Sequence, residues 1–198
     1  MSRSRRRTSA SCSPMSNLAR EALAENRVVL SVMGAHAGED ETAIFSRKLR
    51  DIDCVGRTFW AYGSHAARPD LVQRAGSAFI LFLAPSKNNG ARPTTISRAA
   101  TCFSAENKLW LPMPDGVGRV TGRLPAYALV LSELSLCSEE LDVWTYACDN
   151  APVRFRLGAS TLLVERKDTS ADPRRMASRV RRVIAVGRLE TPRAVWIR

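Results

Sequence analysis

Residues 78–83, AFILFL, are apolar at every position, and an unbroken apolar run of six predicts a strand buried on both faces. The run at 58–62, TFWAY, is equally β-prone, and its period of two sends Trp60 and Tyr62 to one side. A third strand is predicted at 27–33, RVVLSVM. Helical spacing governs the stretches between them. Leu18, Ala22 and Leu23 share one face of a helix over 17–25. Phe45, Leu49 and Ile52 repeat at i, i+4, i+7 in a helix over 39–52, and Glu39, Asp40 and Glu41 complement the dipole at its start. Pro69 and Asp70 mark another helix start.

The second half reads less cleanly. Ile96, Ala99 or Ala100, and Phe103 fall on one face, so a helix is expected over 94–103, capped by Thr94 or Thr95. Residues 108–123 carry two Pro and three Gly and read as a long loop containing Trp110. Alternation predicts strands at 126–136, 153–157 and 160–165, while 141–146 fits a strand or a short helix. Asp172 and Pro173 open a helix over 173–182 with Met176, Val180 and Val183 as its inner face. Two short strands, 183–186 and 194–197, close the chain around a turn. The expected fold is α+β, with a mixed or barrel-like sheet and several short helices in one domain over 17–198.

Charge adds what the apolar pattern cannot. The net +11 is concentrated at the ends: +3 over 1–26, +1 over 27–165 and +7 over 166–198. Such an excess favours a polyanionic partner, RNA or DNA. Residues 1–16 are Arg/Ser-rich and free of acids, and are expected to form a disordered basic arm. A transit segment, a nuclear import run and a phosphate-binding arm are the functional readings of that tract. Met15 also opens a sensible sequence of its own. No apolar run approaches the ~18 residues needed to span a bilayer, so no membrane role is expected. Five cysteines without CxxC spacing and two histidines predict reduced thiols, a cytoplasmic setting, no zinc site and no cofactor.

Candidate chemistry is sparse. The strand–GAHAG–helix passage at 27–52 lacks both GxxxxGK[ST] and GxGxxG, and three carboxylates stand where a phosphate would bind. No GxSxG elbow is present. His65, close behind the strand of Trp60 and Tyr62, is the better of the two histidines for acid–base work. The aromatic constellation is more coherent. Trp60 and Tyr62, with Trp110 closing over them, would stack on a base, and Arg57, Arg68 and Arg74 would meet its phosphates. In the helix over 173–182, Arg175, Arg179 and Arg182 fall at i, i+4, i+7 and form a stripe suited to a phosphate backbone.

The run Phe59-Trp60-Ala61-Tyr62-Gly63-Ser64, with later strands at 78–83 and 126–131, resembles the PUA-like folds, specifically the EVE and YTH reader domains. The resemblance spans 57–136 and implies an aromatic pocket for a modified base and no catalysis. Residues 28–49, VVLSVMGAHAGEDETAIFSRKL, resemble the opening of Toll/interleukin-receptor domains, some of which cleave NAD with a glutamate. That resemblance makes Glu106 the counterpart of the glutamate. The expected function is therefore a non-enzymatic nucleic-acid-binding module with an aromatic pocket and a basic C-terminal helix. The alternatives are a small nucleotide-acting enzyme using Glu106 or His65, and a protein-interaction domain whose basic ends are incidental.

Overall fold

A computed structural model describes residues 15–34, 39–63, 67–83, 94–95, 101–104, 109–112, 119–120, 127–148, 151–152, 161–166 and 180–197. The expected arm thus lies outside the described residues except for 15 and 16. The chain begins with α1 (Asn17–Ala24), capped by the Ser16 hydroxyl, which accepts the Ala19 N–H at 3.1 Å. Strand β1 (Arg27–Met33) leads to α2 (Glu41–Val55). Asp40 caps α2 through the Ala43 N–H at 2.8 Å, and Gly56 ends it with φ of 76°, a conformation that costs glycine little. Then come β2 (Thr58–Tyr62), the single turn α3 (Pro69–Val72) and β3 (Ala78–Leu83).

Shorter strands follow: β4 (Thr94–Thr95), β5 (Thr101–Ser104), β6 (Leu109–Pro112) and β7 (Arg119–Val120). The long β8 (Tyr127–Leu136) is succeeded by β9 (Glu140–Asp142), a 3-10 turn at Val143–Thr145, and β10 (Tyr146–Cys148). The remaining strands are β11 (Ala151–Pro152), β12 (Thr161–Arg166) and β13 (Val180–Ile197).

Most strands join one mixed sheet. Strands β11, β10, β12, β1, β3 and β13 lie side by side in that order, and β8 and then β2 continue from the other edge of β13. Strands β1 and β3 are parallel, while β13 runs antiparallel to both β3 and β8. At its far end, Trp196 and Ile197 of β13 also pair with β5, which carries β6. The sheet is open among the described residues, with β2 and β11 at opposite margins, so the barrel-like alternative is not adopted.

Two layers cover the sheet. Ile44 and Phe45 of α2 and Val72 of α3 pack on Val29, Trp60, Phe79, Leu81 and Leu129. Ala19 and Ala22 of α1 pack on Val28, Leu30, Ile80 and Val186 on the other face. This two-sided cover explains why AFILFL has no polar position. No helix among the described residues is long and apolar enough to cross a membrane.

Four expectations are corrected. The helix expected over 94–103 is contradicted at both ends: Thr94–Thr95 and Thr101–Ser104 are strands, drawn into β pairing by β7 and by β6 and β13, and residues 96–100 lie outside the described residues. The loop at 108–123 likewise contains β6 and β7. The helix over 173–182 is not continued through 180–182, where Val180, Arg181 and Arg182 pair with β9; residues 173–179 lie outside the described residues. The two closing strands are one, β13, whose register against β8 jumps between Leu189 and Ala194.

Candidate nucleic-acid interface

Several of the described arginines are committed to the fold. Arg27 pairs with Glu165 at 3.4 Å, Arg47 with Glu39 at 2.8 Å, and Arg68 with Asp70 at 2.6 Å. Arg188 bridges Glu21 of α1 and Glu133 of β8, both at 2.7 Å. Arg193 donates to the Gln73 carbonyl at 2.8 Å. Arg166 donates to the Leu23 carbonyl and to the Tyr146 hydroxyl, the latter at 3.0 Å, with its guanidinium 5.2 Å from the Tyr146 ring centre.

Arg181 and Arg182 differ, as do the exposed Arg20, Arg50 and Arg74, but only these two adjoin one another. They lie in the opening residues of β13, which pair with β9 as a two-stranded ribbon: Val180 opposite Asp142, Arg181 opposite Leu141, Arg182 opposite Glu140. The ribbon is fixed by the buried Leu141 and Val183 and by the bond from the Val183 N–H to the Glu139 carbonyl at 2.8 Å. Consecutive strand residues point to opposite faces. Both arginines are nevertheless exposed, as is Val180. Arg182 faces Glu140 in register, yet its Nη2 donates to the Ser138 hydroxyl at 2.7 Å. Neither guanidinium is held by a carboxylate among the described residues. Glu139, Glu140 and Asp142 keep the ribbon itself from being basic. Attraction of a polyanion would therefore come from the wider C-terminal excess of +7.

The structure separates the other expected site residues. Trp60 is 8% exposed and packs on Phe79, with ring centres 5.4 Å apart and planes tilted by 54°. Tyr62 is 8% exposed, its hydroxyl donates to the Ala67 carbonyl, and its ring lies 5.6 Å from that of Tyr127. Burial pushes its phenol well above the usual range, with Tyr127 and Asp70 adding to the shift. Both rings belong to the core under α2 and α3, and neither offers the open face that base stacking needs. Trp110 is placed in β6, where its partner across the ladder is Phe103. Strands β8, β13 and β5 intervene between β2 and β6, roughly 19 Å at ordinary strand spacing. Arg175, Arg179, His36, His65 and Glu106 lie outside the described residues. No group of three or more His, Cys, Asp and Glu that could hold a metal occurs among the described residues.

Lys48 is the residue that pattern reading misses. It is 5% exposed on the inner face of α2, and its Nζ donates to the carbonyl of Phe59. Burial, helped by the like charge of neighbouring Arg47 and opposed by Asp51 and Glu39, lowers its pKa to about 7. The available signal is spacing: Ile44, Lys48 and Ile52 recur every four residues, so a lysine occupies an apolar stripe. Cys54 and Cys137 are free thiols, and burial raises that of Cys137. No protein-family model, curated protein or solved structure matches this chain.

Proposed function

We propose that this chain is a non-enzymatic nucleic-acid-binding module that engages phosphates, of RNA or of DNA, through its C-terminal arginines. One observation carries the reading: Arg181 and Arg182 stand exposed on the β9–β13 ribbon without a carboxylate partner among the described residues, whereas Arg27, Arg47, Arg68 and Arg188 are paired. The charge of the surrounding segment supports it. The finer expectation, a PUA-like reader of a modified base, draws no support from the buried Trp60 and Tyr62.

The test is the salt dependence of binding to a labelled single-stranded oligonucleotide, read by fluorescence anisotropy. Each phosphate contact contributes roughly 0.7–0.9 to the slope of log affinity against log salt. An Arg181→Gln/Arg182→Gln variant should lose about 1.4–1.8 of that slope and keep whatever base preference the parent has. An unchanged slope in the folded variant, or a parent that does not bind, overturns the reading.

A second reading, a protein-interaction domain, is favoured by Leu136 at 70% and Leu83 at 54% exposure. They end the two strands that flank β13. Failure to bind oligonucleotide, together with self-association lost on Leu136→Ser, would select it.

A further inference from the structure

A phosphate-binding role makes no use of Lys48. It stands on the face of α2 that packs on the sheet, one turn after Ile44 and Phe45, where helical spacing calls for an apolar side chain. Its Nζ reaches the carbonyl of Phe59 on β2, a strand whose only partner among the described residues is β8. One turn further along α2, Asp51 accepts the Thr58 hydroxyl at 2.7 Å. Two bonds to consecutive strand residues thus fasten the helix to the margin of the sheet.

The donor count at Lys48 is unbalanced. An ammonium carries three N–H donors, and among the described residues one carbonyl receives them. The nearby carboxylates are already engaged: Asp51 by Thr58, and Glu39 by Arg47 at 2.8 and 3.2 Å. Arg47 adds a like charge. The strands beneath contribute the apolar Trp60, Leu129 and Leu131, with the Tyr62 and Tyr127 phenols on the same face, and Glu133 of β8 is taken by Arg188. A neutral amine is served by one carbonyl; a buried ammonium is not.

We propose that the Lys48–Phe59 contact is a pH-dependent latch, holding α2 on the marginal strand β2 while the amine is neutral and loosening when it takes up a proton. The direction follows from proton binding. Released into water, the amine is protonated below about 10.4; in the closed contact it is protonated only below about 7. Between these limits the closed form binds fewer protons, so closure strengthens as pH rises, by up to about tenfold per unit. Below the lower limit it is weakest and flat.

Amide hydrogen exchange at pH 7 and pH 9, corrected for intrinsic rates, tests the latch. Protection of α2 and β2 amides should rise up to roughly 50-fold across that interval in the parent, and stay level in Lys48→Met. No rise in the parent, or an equal rise in both proteins, overturns the proposal. Should Lys48→Met fail to fold, ¹³Cε NMR of the parent decides. The chain has four lysines, 48, 87, 108 and 167. One resonance titrating near neutrality supports the latch, and four titrating near 10 or above overturn it.

Discussion

Gly76 and Glu25 occupy one space: a Cβ at position 76 would stand 1.8 Å from the Glu25 Oε1 and 2.8 Å from the Arg27 carbonyl oxygen. The Glu25 carboxylate, just past α1, accepts the Ser77 N–H at 3.1 Å, and the Gly76 N–H donates to the Arg27 carbonyl at 2.8 Å. The entry to β3 is thus closed onto the link between α1 and β1. Gly76→Ala should cost about 1–3 kcal/mol in urea unfolding, since backbone and side chain must both give way. In a Glu25→Ala background the same change should cost less, because only the Arg27 carbonyl then obstructs it.

Gly187 is set more rigidly. A Cβ there meets the Glu133 carbonyl oxygen at 2.8 Å, the Phe79 ring at 3.3 Å and Leu131 at 3.4 Å, all fixed parts of the strands flanking β13. Gly187→Ala should reach or exceed the upper end of the same ~1–3 kcal/mol range. A thermal melt against Gly76→Ala checks the order.

Trp60→Ala should destabilise the fold by about 3–5 kcal/mol, because the indole is buried against Phe79. Oligonucleotide affinity of the folded fraction should be unchanged. A variant that keeps its unfolding midpoint and loses binding would show that the ring face is accessible after all.

Two arginines give a contrast of environment. Arg188 makes two ion pairs, but all the partners are well exposed, and Arg188→Ala should cost no more than about 1 kcal/mol. Arg166 covers the fully buried Tyr146 and holds the Leu23 carbonyl, while its own Nε is buried without an acceptor among the described residues. Arg166→Ala should cost more, about 2 kcal/mol, by losing packing and stranding a phenol and a carbonyl. Urea midpoints of the two variants decide.

Legibility in the sequence followed the locality of the causes. Strands Arg27–Met33, Thr58–Tyr62 and Ala78–Leu83 were legible to the residue, since burial on both faces leaves β-prone runs that are apolar throughout in the last and broken by few polar residues, such as Ser31 and Thr58, in the other two. Helices α1 and α2 were legible through their stripes and first turns. Thr101–Ser104 was not, because Phe103 at helical spacing from Ile96 carries no record of its ladder partners Trp110 and Trp196. The continuity of β13 escaped for a similar reason: β8 and β3 impose it from far away in the chain. Trp60 could be placed on a face, but only the cover of α2 and α3 makes that face interior.

The position of β13 has a consequence for how quickly the protein reaches its native state. Val186 pairs with Ile80 on one side, and Val195 pairs with Ala128 on the other. Without this strand, the β12–β1–β3 and β8–β2 portions share no ladder among the described residues. The contacts that unite them are of high sequence separation, which places folding toward the slow, milliseconds-to-seconds end for small domains. Until the strand inserts, β3 and β8 each present an unpaired, strongly apolar edge. Off-pathway association between chains then competes with insertion, so refolding yield should fall as protein concentration rises.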